Sequence, residues 1–271
     1  MEGMETVASY QSERIGEGFW RIVDPRGCCI YLIEGSRRAL AIDTGMWKEP
    51  LLPFLKTLTK LPVELALTHA HIDHMYHAEE FERVYVSRAE QEGYTKRSQW
   101  LMDIGAAVFR VKRKKYRVDG YKAFEYGDSM DLGGVPIKCL AAPGHTRGSA
   151  LLVDETHQAV ICGDAVGSGS GVWMFLPDCT SVREYRDSLG SALEKLRPYR
   201  DYAYFGGHDE READGTIRPL SYATFEDMHA LCERIINGTA APERLSKFPI
   251  RILYGCRYKT AAMATRKGKL K

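Results

Sequence analysis

The sequence contains no run of about eighteen apolar residues, so no membrane-spanning helix is expected. Its opening, Met1-Glu2-Gly3-Met4-Glu5-Thr6, lacks both the basic start and the apolar core of an export signal, which points to the cytoplasm. Neither sign of charge dominates. The 38 Lys and Arg against 36 Asp and Glu leave +2, giving no global pull towards nucleic acid or a membrane surface. Cysteine is limited to seven residues, an odd number without zinc-finger spacing, which fits a reducing compartment rather than a disulfide framework. The adjacent Cys28-Cys29 could be taken for a redox pair, but small buried strand residues are the simpler reading. No repeat, low-complexity linker or serine or cysteine nucleophile elbow is visible. What remains is ordinary for a soluble globular protein, with 44% apolar and 27% charged residues over 271 positions. That length suits one α/β domain.

Histidine is the exception. Four of the eight fall in the run Thr68-His69-Ala70-His71-Ile72-Asp73-His74-Met75-Tyr76-His77. The order His-x-His-x-Asp-His supplies neutral imidazoles and a carboxylate, ligand types that suit zinc. It follows Pro62-Val63-Glu64-Leu65-Ala66-Leu67, which reads as a buried strand. His69 and His71, two apart, point to one side of an extended segment. Asp73 and His74 follow the turn and can approach from elsewhere, so one segment can serve two metals. His145 lies in Pro143-Gly144-His145-Thr146, His208 in Gly206-Gly207-His208, and Asp164 ends Ala159-Val160-Ile161-Cys162-Gly163-Asp164. Each follows an apolar run and sits beside glycine, as in a tight turn at a strand end. Strand ends are where α/β proteins place their sites.

These motifs, with Tyr31-Leu32-Ile33-Glu34-Gly35 and Ala39-Leu40-Ala41-Ile42-Asp43-Thr44-Gly45 upstream, resemble the metallo-β-lactamase-fold hydrolases over roughly residues 19–210. That superfamily includes glyoxalase II, lactonases and processing nucleases. The resemblance implies an α/β fold, an αββα sandwich of two mixed β-sheets flanked by helices. It implies that His69, His71 and His145 hold one metal, that Asp73, His74 and His208 hold the other, and that Asp164 bridges them. Asp73 and Asp164 are then also the catalytic carboxylates. The cofactor is expected to be two Zn2+, with iron or manganese as substitutes. A metal-bridging hydroxide would attack a small ester, thioester or lactone, water bound to zinc having a pKa lowered towards roughly 7. Three alternatives stay open: a phosphodiesterase on the same pair, a mononuclear iron persulfide dioxygenase, or a metal-binding module without catalysis. True β-lactamase activity is not expected, because the common zinc β-lactamases lack a bridging aspartate at the position of Asp164. His71 stands where flavodiiron relatives commonly carry glutamate. Neither a glutathione-binding motif nor the arm of tRNA-processing nucleases is recognisable.

The expected organisation is one domain over 1–271, with a helical insertion or lid at 94–126 and a basic, frayed tail at 259–271. The 94–126 span carries nine Lys or Arg against three Asp or Glu, including Lys112-Arg113-Lys114-Lys115. It reads either as a lid with basic groups for an anionic substrate or as a solvated charged face over an apolar underside. Gly167-Ser168-Gly169-Ser170-Gly171 reads either as a segment that shapes the substrate mouth or as glycines that permit a tight turn. Asp43 is expected to orient the ligand loop or to be an ordinary turn aspartate, His77 to lie on the surface or else to support a ligand from behind, and His157 and His229 to be structural. The expected partner is a small molecule, with no nucleic acid and no membrane; the oligomeric state is left open. Seven ligands exceed the needs of one tetrahedral zinc, so elemental analysis should return about two metals per chain. A single iron without zinc would instead favour the dioxygenase.

Overall fold

Buried side chains alternate along the strands and sort the apolar residues into three layers. The computed structural model describes residues 9–167, 171–209, 219–245 and 253–266. The first sheet runs in chain order through β1 (Gln11–Gly16), β2 (Phe19–Val23), β3 (Cys29–Glu34), β4 (Ala39–Ile42), β5 (Val63–Ala66), β6 (Val84–Ser87) and β7 (Lys122–Phe124). Its first four strands pair antiparallel and its last four parallel. The second sheet contains β8 (Ser129–Asp131), β9 (Pro136–Ala141), β10 (Ala150–Asp154) and β11 (Ala159–Gly163). After a two-residue strand, β12 (Val172–Trp173), β13 (Ala203–Gly206) joins parallel to β11, giving the order β13-β11-β10-β9-β8.

The period of two along a strand decides which residue faces which layer. Cys29, Tyr31 and Ile33 on β3 meet Ala150, Leu152, Ala159 and Ile161 of the second sheet in the central core. The intervening Ile30 and Leu32 face outwards, into a core shared with helices α1 (Leu51–Leu58), α2 (Ile72–Met75) and α4 (Lys96–Val108). The short α3 (Arg88–Gly93) lies between α2 and α4 in sequence. On the other side Leu151, Val153, Val160 and Cys162 pack against α5 (Val182–Leu196) and α6 (Tyr222–Ile236). This is the αββα sandwich of two mixed sheets. Helix α5 opens with a capping box, Ser181-Val182-Arg183-Glu184: Ser181 Oγ accepts from the Glu184 amide, and Glu184 accepts from the Ser181 amide.

Two expectations need correction. The tail does not fray through 259–266. Lys259 and Thr260 form the turn between β15 (Leu253–Tyr258) and β16 (Ala261–Arg266). Ala261 to Thr265 are all buried, because this hairpin packs on α6. With β12 and β14 (Glu243–Arg244) it forms a third sheet, ordered β12-β16-β15-β14. Strand β15 begins at Leu253 among the described residues, and 250–252 and 267–271 lie outside them. Nor is 94–126 all helical insertion. Only Lys96–Val108 is α-helix, and Lys122–Phe124 is the edge strand of the first sheet. Among the described residues no helix is long and apolar enough to cross a membrane.

Leu152 is fully buried between the sheets. Leu152→Ala should lower unfolding stability by about 2–5 kcal/mol through lost burial and a cavity, measured by urea denaturation. A change below about 1 kcal/mol would show that the sheets close over the gap.

Candidate metal centre

Five strands deliver the site. Asp43 follows β4, Thr68 and His69 follow β5, His145 follows β9, Asp164 follows β11 and His208 follows β13. The structure brings all seven sequence-predicted donors together. His69 Nε2 lies 3.1 Å from His71 Nδ1, which lies 2.8 Å from His145 Nε2. Asp73 Oδ2 is 3.4 Å from His208 Nε2 and 3.8 Å from His74 Nε2. Asp164 Oδ2 stands between the two groups, 3.3 Å from His208 Nε2, 3.6 Å from His74 Nε2 and 3.6 Å from His145 Nε2.

The other nitrogen of each imidazole says what the inward one presents. His145 Nδ1–H donates to the Trp173 carbonyl at 2.9 Å, and His71 Nε2–H to Asp178 Oδ2 at 2.8 Å. Thr68 Oγ1 donates to Asp43 Oδ2 at 2.7 Å and so accepts from His69 Nδ1–H at 3.1 Å. His74 Nδ1–H donates to Asp43 Oδ2 at 2.8 Å. With the outer protons committed, the inner nitrogens of neutral rings can offer only lone pairs. On neutral rings the lone pair of His71 Nδ1, 3.1 Å from that of His69 and 2.8 Å from that of His145, repels both unless a cation lies among them. Nitrogens 2.0–2.1 Å from a tetrahedral zinc lie roughly 3.3 Å apart, close to the spacing here. His74 Nε2 and Asp164 Oδ1 are buried without any hydrogen-bond partner, a second sign that a positive ion belongs here. The donor set therefore fits metal.

The electrostatics differ from ring to ring: burial opposes charge on His71, but Asp178 outweighs it and raises the ring above its ordinary range. Burial, then the imidazoles around it, hold His69 well below its ordinary range; burial and His71 bring His145 down to about 4. Both are neutral near pH 7, as ligands must be. Burial also opposes charge on His74 and His208, but nearby carboxylates outweigh it. Asp43, Asp73 and Asp164 raise His74 well above its usual range, and Asp164 lifts His208 to about 9. For Asp164 burial acts upwards, yet His208 and His74 hold it well below the carboxylate range.

Asp43 has φ 60°, a left-handed conformation that aspartate tolerates better than most residues. Its carboxylate accepts from the Thr68 amide as well as from Thr68 Oγ1 and His74, so it ties the end of β4 to the ligand segment. Gly207 is required by proximity, since a Cβ there would lie 2.4 Å from Asp164 Oδ1. Two supporting groups were not read from the sequence. Glu90, buried on α3, accepts from the Ala70 amide at 2.9 Å, Thr146 Oγ1 at 2.8 Å and the Gly148 amide at 2.9 Å, clamping the two histidine loops together. Burial raises its pKa while Ala70 and Thr146 oppose the rise. Asp178, which fixes His71, comes from a loop 107 residues further along. No motif marks either residue; only the fold brings them in.

His77 is buried rather than on the surface. Its ring bonds Glu80 and the Trp47 carbonyl, away from the donor cluster. His157 bonds Asp154 and the Glu17 carbonyl, and His229 lies on α6. In the basic run Lys114 is engaged, its Nζ 2.9 Å from both the Tyr76 carbonyl and Glu79 Oε1, while Lys112, Arg113 and Lys115 are exposed. Ser168, Gly169 and Ser170 of the expected mouth lie outside the described residues.

Comparison with known proteins agrees with this architecture. The family model described as metallo-beta-lactamase superfamily matches residues 23–208. An acyl-coenzyme A thioesterase MBLAC2 of Gallus gallus is 30% identical over 199 residues, covering 62% of this chain and 70% of that protein. A probable polyketide biosynthesis zinc-dependent hydrolase PksB of Bacillus subtilis is 26% identical over 199 residues, covering 68% and 74%. Among solved structures, a metallo-beta-lactamase from Pontibacter korlensis superposes with a TM-score of 0.61 at 15% identity, over 83% of this chain and 99% of that one. An archaeal superfamily protein from Sulfolobus tokodaii gives 0.57 at 18% identity, over 90% and 91%. At these identities the structures share the fold.

Because Asp178 reaches the donor cluster only through His71, Asp178→Asn should weaken metal retention by about 10–100-fold, read by competition with a chelator of known affinity. Unchanged retention would mean that His71 is oriented by its own backbone and packing alone.

Proposed function

Since the chain belongs to the metallo-β-lactamase superfamily, a family of metal-dependent hydrolases, we propose that it hydrolyses small thioesters with a two-metal centre. The observation that carries this reading is the meeting of seven donors, four of them imidazoles whose outer nitrogens are already committed, with Asp164 Oδ2 within 3.6 Å of nitrogens from both groups. His69, His71 and His145 would hold one ion, Asp73, His74 and His208 the other, and Asp164 both. Two zinc ions suit this set of imidazoles and carboxylates. When bound, such a pair supplies Lewis acidity and a water acidified towards neutrality.

The chain's own residues do the rest. Asp164 offsets the charge of two neighbouring cations. Asp73, partly exposed beside His208, is the carboxylate we assign to orienting the attacking water. No side-chain nucleophile is required. Cys162 is directed into the outer core, where its Sγ donates to the Val160 carbonyl. Water and thioester yield carboxylic acid and thiol. Thioester is favoured within the wider class of esters and lactones by the likeness to the acyl-coenzyme A thioesterase. A mononuclear dioxygenase would leave the second set of donors without a purpose. We also read the chain as one working unit, since both sheets and β12 contribute to a single site.

The test is thiol release from short and long acyl-coenzyme A thioesters by protein of known metal content. Asp164→Asn keeps the shape and removes the bridging charge. It should lower kcat/KM by more than the roughly 100-fold typical of outer supporting groups and reduce metal occupancy. A fully metallated, fully active Asp164→Asn protein would remove the bridging role. Cleavage of phosphodiesters but not thioesters would overturn the substrate class and leave the centre standing.

A further inference from the structure

Cys28 stands apart from the other cysteines. Cys139 faces the central core, and Cys162, Cys179, Cys232 and Cys256 face the core under α5 and α6. The neighbouring Cys29 also points into the central core. Cys28 borders the outer apolar cluster, but its sulfur lies within 4.8 Å of a carboxylate oxygen of Asp73 and a ring nitrogen of His208. Its exposure is 1%.

The placement is built by the backbone. Cys28 forms an antiparallel bridge with His208, the Cys29 amide donates to the Gly207 carbonyl at 2.8 Å, and the Asp209 amide donates to the Gly27 carbonyl at 2.7 Å. Buried Asp24 holds the preceding turn: Oδ1 accepts from the Arg26 and Cys28 amides, and Oδ2 from the Met46 amide. Arg21 pairs with Asp209 just beyond His208. The thiol is therefore held beside the second metal position by the backbone bridge that Cys28, entering β3, makes with His208, leaving β13. The partnerless, buried His74 Nε2 lies 3.8 Å from Asp73 Oδ2 in that same position.

We propose that Cys28 is a further ligand at the second metal position, its sulfur joining Asp73 and His208. The inference rests on the two-metal reading. A sulfur 2.3 Å and an oxygen 2.0–2.2 Å from one zinc lie roughly 3.5 Å apart, so from a separation within 4.8 Å closure on an ion needs a contraction of no more than about 1.3 Å. As the sulfur–metal bond forms, the thiol proton passes to solvent water. One soft donor makes the second position more selective than the first for zinc or cadmium over manganese.

The experiment loads metal-free protein with cobalt(II) and, separately, with cadmium(II). Two ions per chain, a near-ultraviolet sulfur-to-cobalt charge-transfer band and a cadmium NMR resonance displaced towards sulfur ligation are expected. Cys28→Ser should abolish the band and the displacement while keeping the ion at the first position. Two bound ions with only nitrogen and oxygen signatures would overturn the role of Cys28 and leave the two-metal reading intact. One ion or none would overturn both. A sulfur signature that survives in Cys28→Ser would assign it to another cysteine and also overturn the proposal. Should Cys28→Ser fail to fold, the cadmium spectrum of the unaltered protein decides.

Discussion

Mutual repulsion of inward-facing lone pairs is the condition around which this molecule is arranged. The His71 nitrogen approaches those of His69 and His145 to 3.1 and 2.8 Å in a place where side-chain burial excludes bulk water. Their outer nitrogens are spent on the Trp173 carbonyl, Asp178 and Thr68, so a change of tautomer would break one good contact to relieve one bad one. In a medium of reduced dielectric this tension is larger than it would be in water. A cation converts it into attraction. Binding energy gained there is folding energy, because an unfolded chain cannot assemble the site.

The framework must then be stiff enough to hold the donors against repulsion. Stiffness comes from placing each donor just beyond a paired strand and from cross-links between loops. Glu90 joins the loop of His69 and His71 to that of His145, and Asp43 joins the end of β4 to Thr68 and His74. Both are buried carboxylates whose own satisfaction depends on the loops they bind. Their loss would leave backbone amides unpaired as well as ligands unsupported.

Legibility in the sequence follows the range of the interactions. His69, His71, Asp73 and His74 share one short segment, and His145, Asp164 and His208 each carry a glycine signal, so the donors could be found without coordinates. Periodicity made only the α/β class legible; the sandwich came from the family resemblance, and the structure shows it in the opposite faces of β3 and β10 entering different cores. Glu90 and Asp178 were not legible, since an acidic residue on a short helix or in a loop resembles a solvated one until a distant loop closes over it. The hairpin of β15 and β16 was mistaken for a tail because its charge is at the turn and ends, Lys259 and Arg266, while its buried stretch, Ala261 to Thr265, is small and weakly hydrophobic. Lys114 reads as a free cation in the sequence, but its tertiary partners are Tyr76 and Glu79.

The third sheet has a consequence for how the protein matures. Strand β16 pairs in parallel with β12, with Met263 opposite Val172 and Ala264 opposite Trp173, and the Met174 amide donates to the Ala264 carbonyl at 2.8 Å. Trp173 is the residue whose carbonyl orients His145. A nascent chain made as far as His208 would hold every candidate donor in its sequence and still lack the strand that steadies one of them. Domains fold as they emerge from synthesis, and contacts distant along the chain close last. The strand that holds the support of His145 in place is therefore complete only after residue 264 has been made, though that segment supplies no donor itself.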